Sequence, residues 1–143
     1  MIQFVIHKKP RPQQRHRSNG RWNYDPSAKE KKEFAMLIRQ YAPDKPLEGE
    51  IDLHLTFCYK RPKTHYRKKD GELIRKKIVP YYKKSRPDID NLSKWVMDSL
   101  GDFFLDDSQV VSLNAQKVYG SEDLIHIKIF HNKKYCKSQE KYL

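Results

Sequence analysis

Apolar and polar positions alternate most regularly between Ile51 and Tyr59, where Ile51, Leu53, Leu55, Phe57 and Tyr59 are separated by Asp52, His54, Thr56 and Cys58. A period of two puts the first set on one face of an extended chain, so the segment predicts a strand with one buried side. The same period returns at Val111, Leu113 and Ala115 and at Ile125, Ile127 and Ile129, predicting strands over 108–119 and 123–131. Gly120-Ser121-Glu122-Asp123 lies between them and predicts the turn of a β-hairpin. A short β-prone run over 2–6, ended by Pro10, predicts a first strand. Elsewhere the spacing changes to three and four. Phe34, Leu37, Ile38 and Tyr41 predict one face of a helix that starts at Ala28, capped by Ser27 with Glu30 as its capping-box partner, and stopped by Pro43 and Pro46. Leu92, Trp95, Val96 and Ser99 predict the buried face of a second helix over about 89–100, with Gly101 as its stop.

The order strand, helix, strand, helix, hairpin implies an α+β fold: a single domain over 1–143, with a mixed sheet of about four strands and two helices packed on it. Two segments follow no period. Residues 10–26 are a loop by composition, and residues 60–87 form a long basic loop with Tyr66, Tyr81 and Tyr82 interleaved. The tail over 132–143 is basic and reads as frayed.

Charge changes this picture. The chain of 143 residues has a formal charge of +12, with 34% charged and 37% hydrophobic residues, and the cations cluster. A surface of that sign favours a polyanion, and nucleic acid is the leading partner. No stretch approaches the roughly 18 apolar residues of a membrane span, and the N-terminal apolar run is too short for a signal peptide. Cys58 and Cys136 have neither metal-ligand nor CxxC spacing, which fits a reducing compartment. The expectation is a soluble, cytoplasmic protein.

Against that background the acids are conspicuous where they cluster: Asp88 and Asp90 in one short segment, Asp106 and Asp107 in another. Asp88 suits an N-cap and Asp90 the first turn of the helix, so both have an ordinary structural reading. Lys94 follows Asp90 by four residues, on the same helical face and about 6 Å along the axis. Asp98 lies roughly 12 Å beyond Asp90, too far to share an ion with it, and reads as structural, pairing with Lys94 or a loop cation. Asp102 reads as loop surface. Carboxylates gathered where a polyanion would arrive need a neutraliser, and Mg²⁺ or Mn²⁺ prefers such oxygen ligands. The histidines have no mutual ligand spacing and read as structural or surface groups.

The stretch Pro87-Asp88-Ile89-Asp90-Asn91-Leu92 with Lys94, Asp98 and Leu100, followed by Asp106-Asp107-Ser108-Gln109-Val110-Val111, resembles the RusA family of Holliday-junction resolvases. Pro12-Gln13-Gln14-Arg15-His16-Arg17 with Gly20 and Tyr24-Asp25-Pro26, and Arg61-Pro62-Lys63, are similar to that family as well, and the likeness runs over most of 2–130. It implies that Asp88, Asp90 and Asp107 are catalytic acids that hold Mg²⁺ or Mn²⁺, that Lys94 is a catalytic lysine, and that Asp106 is at most an outer group. It implies a homodimer acting on four-way junction DNA, with paired phosphodiester cleavage in DNA recombination and repair.

The phosphate-contacting cations expected from the clustering are Arg11, Arg15, Arg17, Arg21, Arg61, Lys63, Arg67, Lys68, Lys69, Lys76, Lys83, Lys84 and Arg86. A competing reading is a non-catalytic nucleic-acid-binding module in which Trp22, Tyr66, Tyr81 and Tyr82 stack on bases. An RNA nuclease is a third, because phosphate chemistry alone does not choose the sugar. Phe103, Phe104 and Leu105 read as core or dimer contact before they read as a base wedge.

Overall fold

A computed structural model describes residues 1–131; the basic tail and Cys136 lie outside the described residues. The elements are β1 (Ile2–Ile6), β2 (Arg17–Ser18), β3 (Asn23–Tyr24), α1 (Ala28–Ile38), β4 (Ile51–Lys60), β5 (Tyr66–Lys69), β6 (Glu72–Arg75), α2 (Ile89–Met97), β7 (Val110–Gly120) and β8 (Leu124–His131). The main sheet has four strands in the order β1-β8-β4-β7 and both helices, so the α+β class stands. None of the described helices is long and apolar enough to cross a membrane.

The alternation in β4 does what its period requires. Ile51, Leu53, Leu55 and Phe57 are fully buried, while Asp52, His54 and Thr56 face outward and are half-exposed. Ile125, Ile127 and Ile129 of β8 and Phe4 and Ile6 of β1 continue the inward face. Phe34 and Ile38 of α1 and Leu92, Trp95 and Val96 of α2 pack against it, and Leu100, Phe103 and Phe104 complete the core. Burial of each such side chain contributes about 1.5–3 kcal/mol. Phe103 stacks on Phe4 with ring centroids 5.5 Å apart, which makes the Phe103-Phe104 pair core.

The expected hairpin does not form. β7 and β8 both pair with β4, which lies between them: β8 antiparallel, with Leu55 opposite Ile127, and β7 parallel, with Leu55 opposite Ala115. The short link after Gly120 therefore steps over the end of β4, where the Lys60 N–H donates to Asp123 (2.8 Å). Local turn residues cannot distinguish this step from a hairpin. β4 has backbone donors and acceptors along both edges, and β7 and β8 each satisfy one of them.

Other boundaries also differ. α2 ends at Met97, before a tighter turn that brings Leu100 into the core. Ser27 makes no cap bond to α1; its Oγ accepts from the Gln14 N–H, and its own N–H donates to Asp25. The buried stripe of α1 is narrower than the spacing implied, since Leu37 is exposed and Tyr41 is covered only by stacking on Phe4. The loop over 10–26 contains the small β2–β3 ribbon. The segment 60–87 is not one loop. β5 and β6 pair around Asp70-Gly71, both with positive φ (52° and 80°), as a two-residue hairpin turn requires.

Replacing Leu55 by alanine opens a void at the sheet centre and is expected to lower unfolding free energy by about 2–5 kcal/mol in urea titration. Gly71→Val strains the exposed β5–β6 turn but leaves the main core intact, so its urea midpoint is expected to stay near wild type.

Candidate active site

The start of α2 is delivered by the chain before it. Tyr119 N donates to the Tyr81 carbonyl (2.9 Å) and Lys83 N to the Lys117 carbonyl (3.0 Å), which lays residues 81–83 along the outer edge of β7. From there Ser85-Arg86-Pro87 turns into α2. Asp88 occupies the N-cap position with extended backbone, φ −74° and ψ 140°, yet its side chain makes no cap bond. Among the described residues, Asp90 accepts only the adjacent Asn91 N–H (2.9 Å). The first-turn acids therefore keep carboxylate oxygens available.

On one flank, the N-terminal loop docks on this turn. The buried Gln13 donates its N–H to the Asn91 carbonyl (2.9 Å), and its side chain donates to Asp25 (2.9 Å). Gln13, Gln14, Arg15, His16, Asn91 and Lys94 line a hollow of about 340 Å³ here. Lys94 is exposed on α2 and has no ion-pair partner among the described residues.

On the other flank, Asp106 and Gln109 form a capping box. Asp106 accepts the Ser108 N–H (2.8 Å), and the Gln109 amide accepts the Leu105 and Asp106 N–H groups. Gln109 also donates to the Leu47 and Gly49 carbonyls (2.9 and 3.0 Å), which ties the turn to the chain before β4. Asp106 is thus spent on structure, and its hydrogen bonds hold its carboxyl below the usual range. Asp107, one residue on, is left free.

Asp107 has the opposite electrostatics. Partial burial and the Asp98 charge push its carboxyl up, against the pull of Lys94. Asp107 lines a hollow with Met97, Asp98 and Gly101, which puts it by the C-terminal end of α2. No group of three or more His, Cys, Asp or Glu side chains among the described residues is placed to hold a metal. Asp88 and Asp90 stand at the start of α2, Asp107 lies toward its other end, and the three do not form a closed cage.

Asp98 differs from the sequence expectation. It pairs with Lys31 of α1 (2.9 Å), not with Lys94, and Lys31 also binds Asp25. Burial works against the charges of both Asp25 and Lys31, but their mutual bonds outweigh it, lowering the pKa of Asp25 and raising that of Lys31. Asp102 pairs with Arg39 (3.0 Å). Among the described residues, the ion pairs use Asp25, Asp52, Asp98, Asp102 and Glu122, whereas Asp88, Asp90, Asp107 and Lys94 enter none.

The family description "Endodeoxyribonuclease RusA" matches residues 4–130. The chain belongs to the RusA endodeoxyribonuclease family. It is also 30% identical over 137 residues to the uncharacterized protein YqaN of Bacillus subtilis (strain 168), covering 90% of this chain and 94% of that one. As a member of this nuclease family the protein is an enzyme, and its uncommitted acids lie within the matched span.

These residues suit a hard divalent cation in donor chemistry, since their carboxylates carry few or no internal bonds. The absence of a three-acid cage is compatible with magnesium in particular, which is commonly held by one or two carboxylates together with substrate phosphates and waters. Sequence reasoning missed Gln13 and Gln109 as the groups that place the two flanks. A signal for Gln109 was present, because Asp106-x-x-Gln109 has capping-box spacing.

The raised pKa of Asp107 has a defined stability consequence. Its folded carboxyl holds a proton more tightly than in the unfolded chain, so its ionisation opposes folding. That penalty is absent below the ordinary carboxylate range and complete above the raised value. Asp107→Asn is therefore expected to raise the thermal midpoint at pH 7, with the difference from wild type vanishing as pH falls below the carboxylate range.

Proposed function

We propose that this protein is a metal-dependent, structure-selective endodeoxyribonuclease that resolves Holliday junctions by paired phosphodiester cleavage as a homodimer, serving DNA recombination and repair. The observation that carries the proposal is the family match together with the selective availability of the family-implied residues: among the described residues Asp88, Asp90, Asp107 and Lys94 enter no ion pair, while neighbouring Asp98, Asp102 and Asp106 have structural partners.

Asp88 and Asp90, at the start of α2, and Asp107, toward its other end, would hold Mg²⁺ or Mn²⁺ together with substrate phosphates and waters rather than as a closed three-acid cage. Bound there, the ion would supply polarisation of the scissile phosphate and a more acidic water. The chain's own residues do the rest. Lys94, in reach of Asp107's field, places a cation where negative charge develops on phosphate oxygens. The first turn of α2 directs its amide dipoles toward the same region. Arg15, at the Gln13–Lys94 hollow, and Arg86, beside Pro87, are placed to meet backbone phosphates on either side. Exposed Trp22, Tyr81 and Tyr82 offer ring faces to bases unstacked at a branch point. A twofold-symmetric enzyme matches a substrate that must be cut at two related positions.

The decisive experiment incubates the purified protein with four-way, three-way and linear duplex DNA, with and without Mg²⁺. Cleavage is expected on the four-way junction only with metal. Asp90→Asn is expected to reduce cleavage to background while junction binding persists; cutting by that variant at the wild-type rate overturns the site. Junction affinity is expected to fall about a thousandfold between roughly 50 and 200 mM salt as counterions are released. A flat salt profile would contradict a phosphate-dominated interface.

A further inference from the structure

Lys117 stands where a lysine is least expected. In the parallel register with β4, Ala115, Lys117 and Tyr119 lie opposite Leu55, Phe57 and Tyr59, so Lys117 is on the helix-facing side of β7. It is half-buried there. Its ammonium donates to the Ser85 carbonyl (2.8 Å) and to the Pro87 carbonyl (2.7 Å). Both carbonyls belong to the chain entering α2, and the second belongs to the residue directly before Asp88. Burial and the Lys83 charge lower its pKa, while Asp88 raises it, which shows Asp88 close enough to act on it.

We propose that Lys117 is a positioning residue for the cleavage centre: it fixes the turn over 85–87 and with it the placement of Asp88 and Asp90, and it does not meet DNA. The inference rests on the nuclease function proposed above. The physical reason is satisfaction of backbone acceptors. The edge of β7 holds residues 81–83 through main-chain bonds, but the chain then leaves the edge, and among the described residues the Ser85 and Pro87 carbonyls find their donor in this side chain. Two of the three ammonium donors are spent on them. A lysine in a basic protein is ordinarily read as a phosphate contact; this one has its donors turned into the fold.

The test uses the full chain and four variants: K117M, which keeps the aliphatic stem and removes the donors, K117Q, K117R and D90N. Measured for each are the thermal midpoint, junction affinity without metal at several salt concentrations, cleavage of saturating junction in a single turnover, and Mn²⁺ binding without DNA by electron paramagnetic resonance. A displacement of about 1 Å at the start of α2 is expected to slow cleavage by K117M about 100-fold. Affinity and salt slope should stay at wild-type values, half-saturation by Mn²⁺ should need more metal, and K117R should recover part of the rate because its guanidinium can reach both carbonyls.

The opposite pattern overturns the proposal: K117M cutting saturating junction at the wild-type rate while its affinity weakens and its salt slope drops by about one, as for a phosphate contact. Should K117M fail to fold, K117Q, which keeps an amide donor group on a shorter stem, is read by the same two patterns. D90N separates the two failures. If D90N cuts like wild type, the nuclease site itself is misplaced; if D90N is inactive and K117M is not, only the role of Lys117 falls.

Discussion

β4 makes hydrogen bonds along both edges while its inward side chains are fully buried, and the other elements take their positions from that double pairing. β8 runs antiparallel along one edge and brings β1 with it; β7 runs parallel along the other. A parallel partner has to return from the far end of the sheet, and the chain makes that return through α2 and the core residues Leu100, Phe103 and Phe104. The helix bearing the acids is thus the crossover that β4 requires. Its start then lies near the end of β7 that receives residues 81–83, and its exposed face borders the turn that presents Asp107.

Charge is distributed with equal economy. In a chain of formal charge +12, three of the acids around the site, Asp25, Asp98 and Asp102, hold a cation. Lys31 holds Asp25 and Asp98 together and thereby links the N-terminal loop, α1 and the end of α2. Asp106 is absorbed by its own turn. Asp107 remains, raised by burial and by Asp98, and eased only by Lys94. An acid kept in a field that disfavours its charge is costly to the fold, and such costs gather where a site needs the charge for something else.

Much of the site was legible because its residues are contiguous. Pro87-Asp88-Ile89-Asp90-Asn91-Leu92 and Asp106-Asp107-Ser108-Gln109-Val110 each contain both the candidate acids and the residues that place them locally. Capping spacing, helical period and strand alternation are short-range properties, set by backbone geometry within a few residues, so β1, β4, α2 and the strand identities of β7 and β8 could be recognised directly. The Asp70-Gly71 turn was equally local and equally legible, but the density of lysine and arginine around it suggested loop.

What the sequence by itself determined was the inward face of β4 and β8, where the helices begin, and which acids stand out against a basic chain. Only the tertiary structure decided who pairs with whom. Alternation in β7 and β8 is the same whether they form a hairpin or flank β4, because the period reports the face of a strand and not its neighbour. Asp98 could not be assigned to Lys31, 67 residues away, from helical spacing alone. Lys117 occupies an inward position whose meaning depends on two carbonyls some 30 residues earlier in the chain. Pairing across such separations is selected by the packing of the whole core, and no local periodicity contains it.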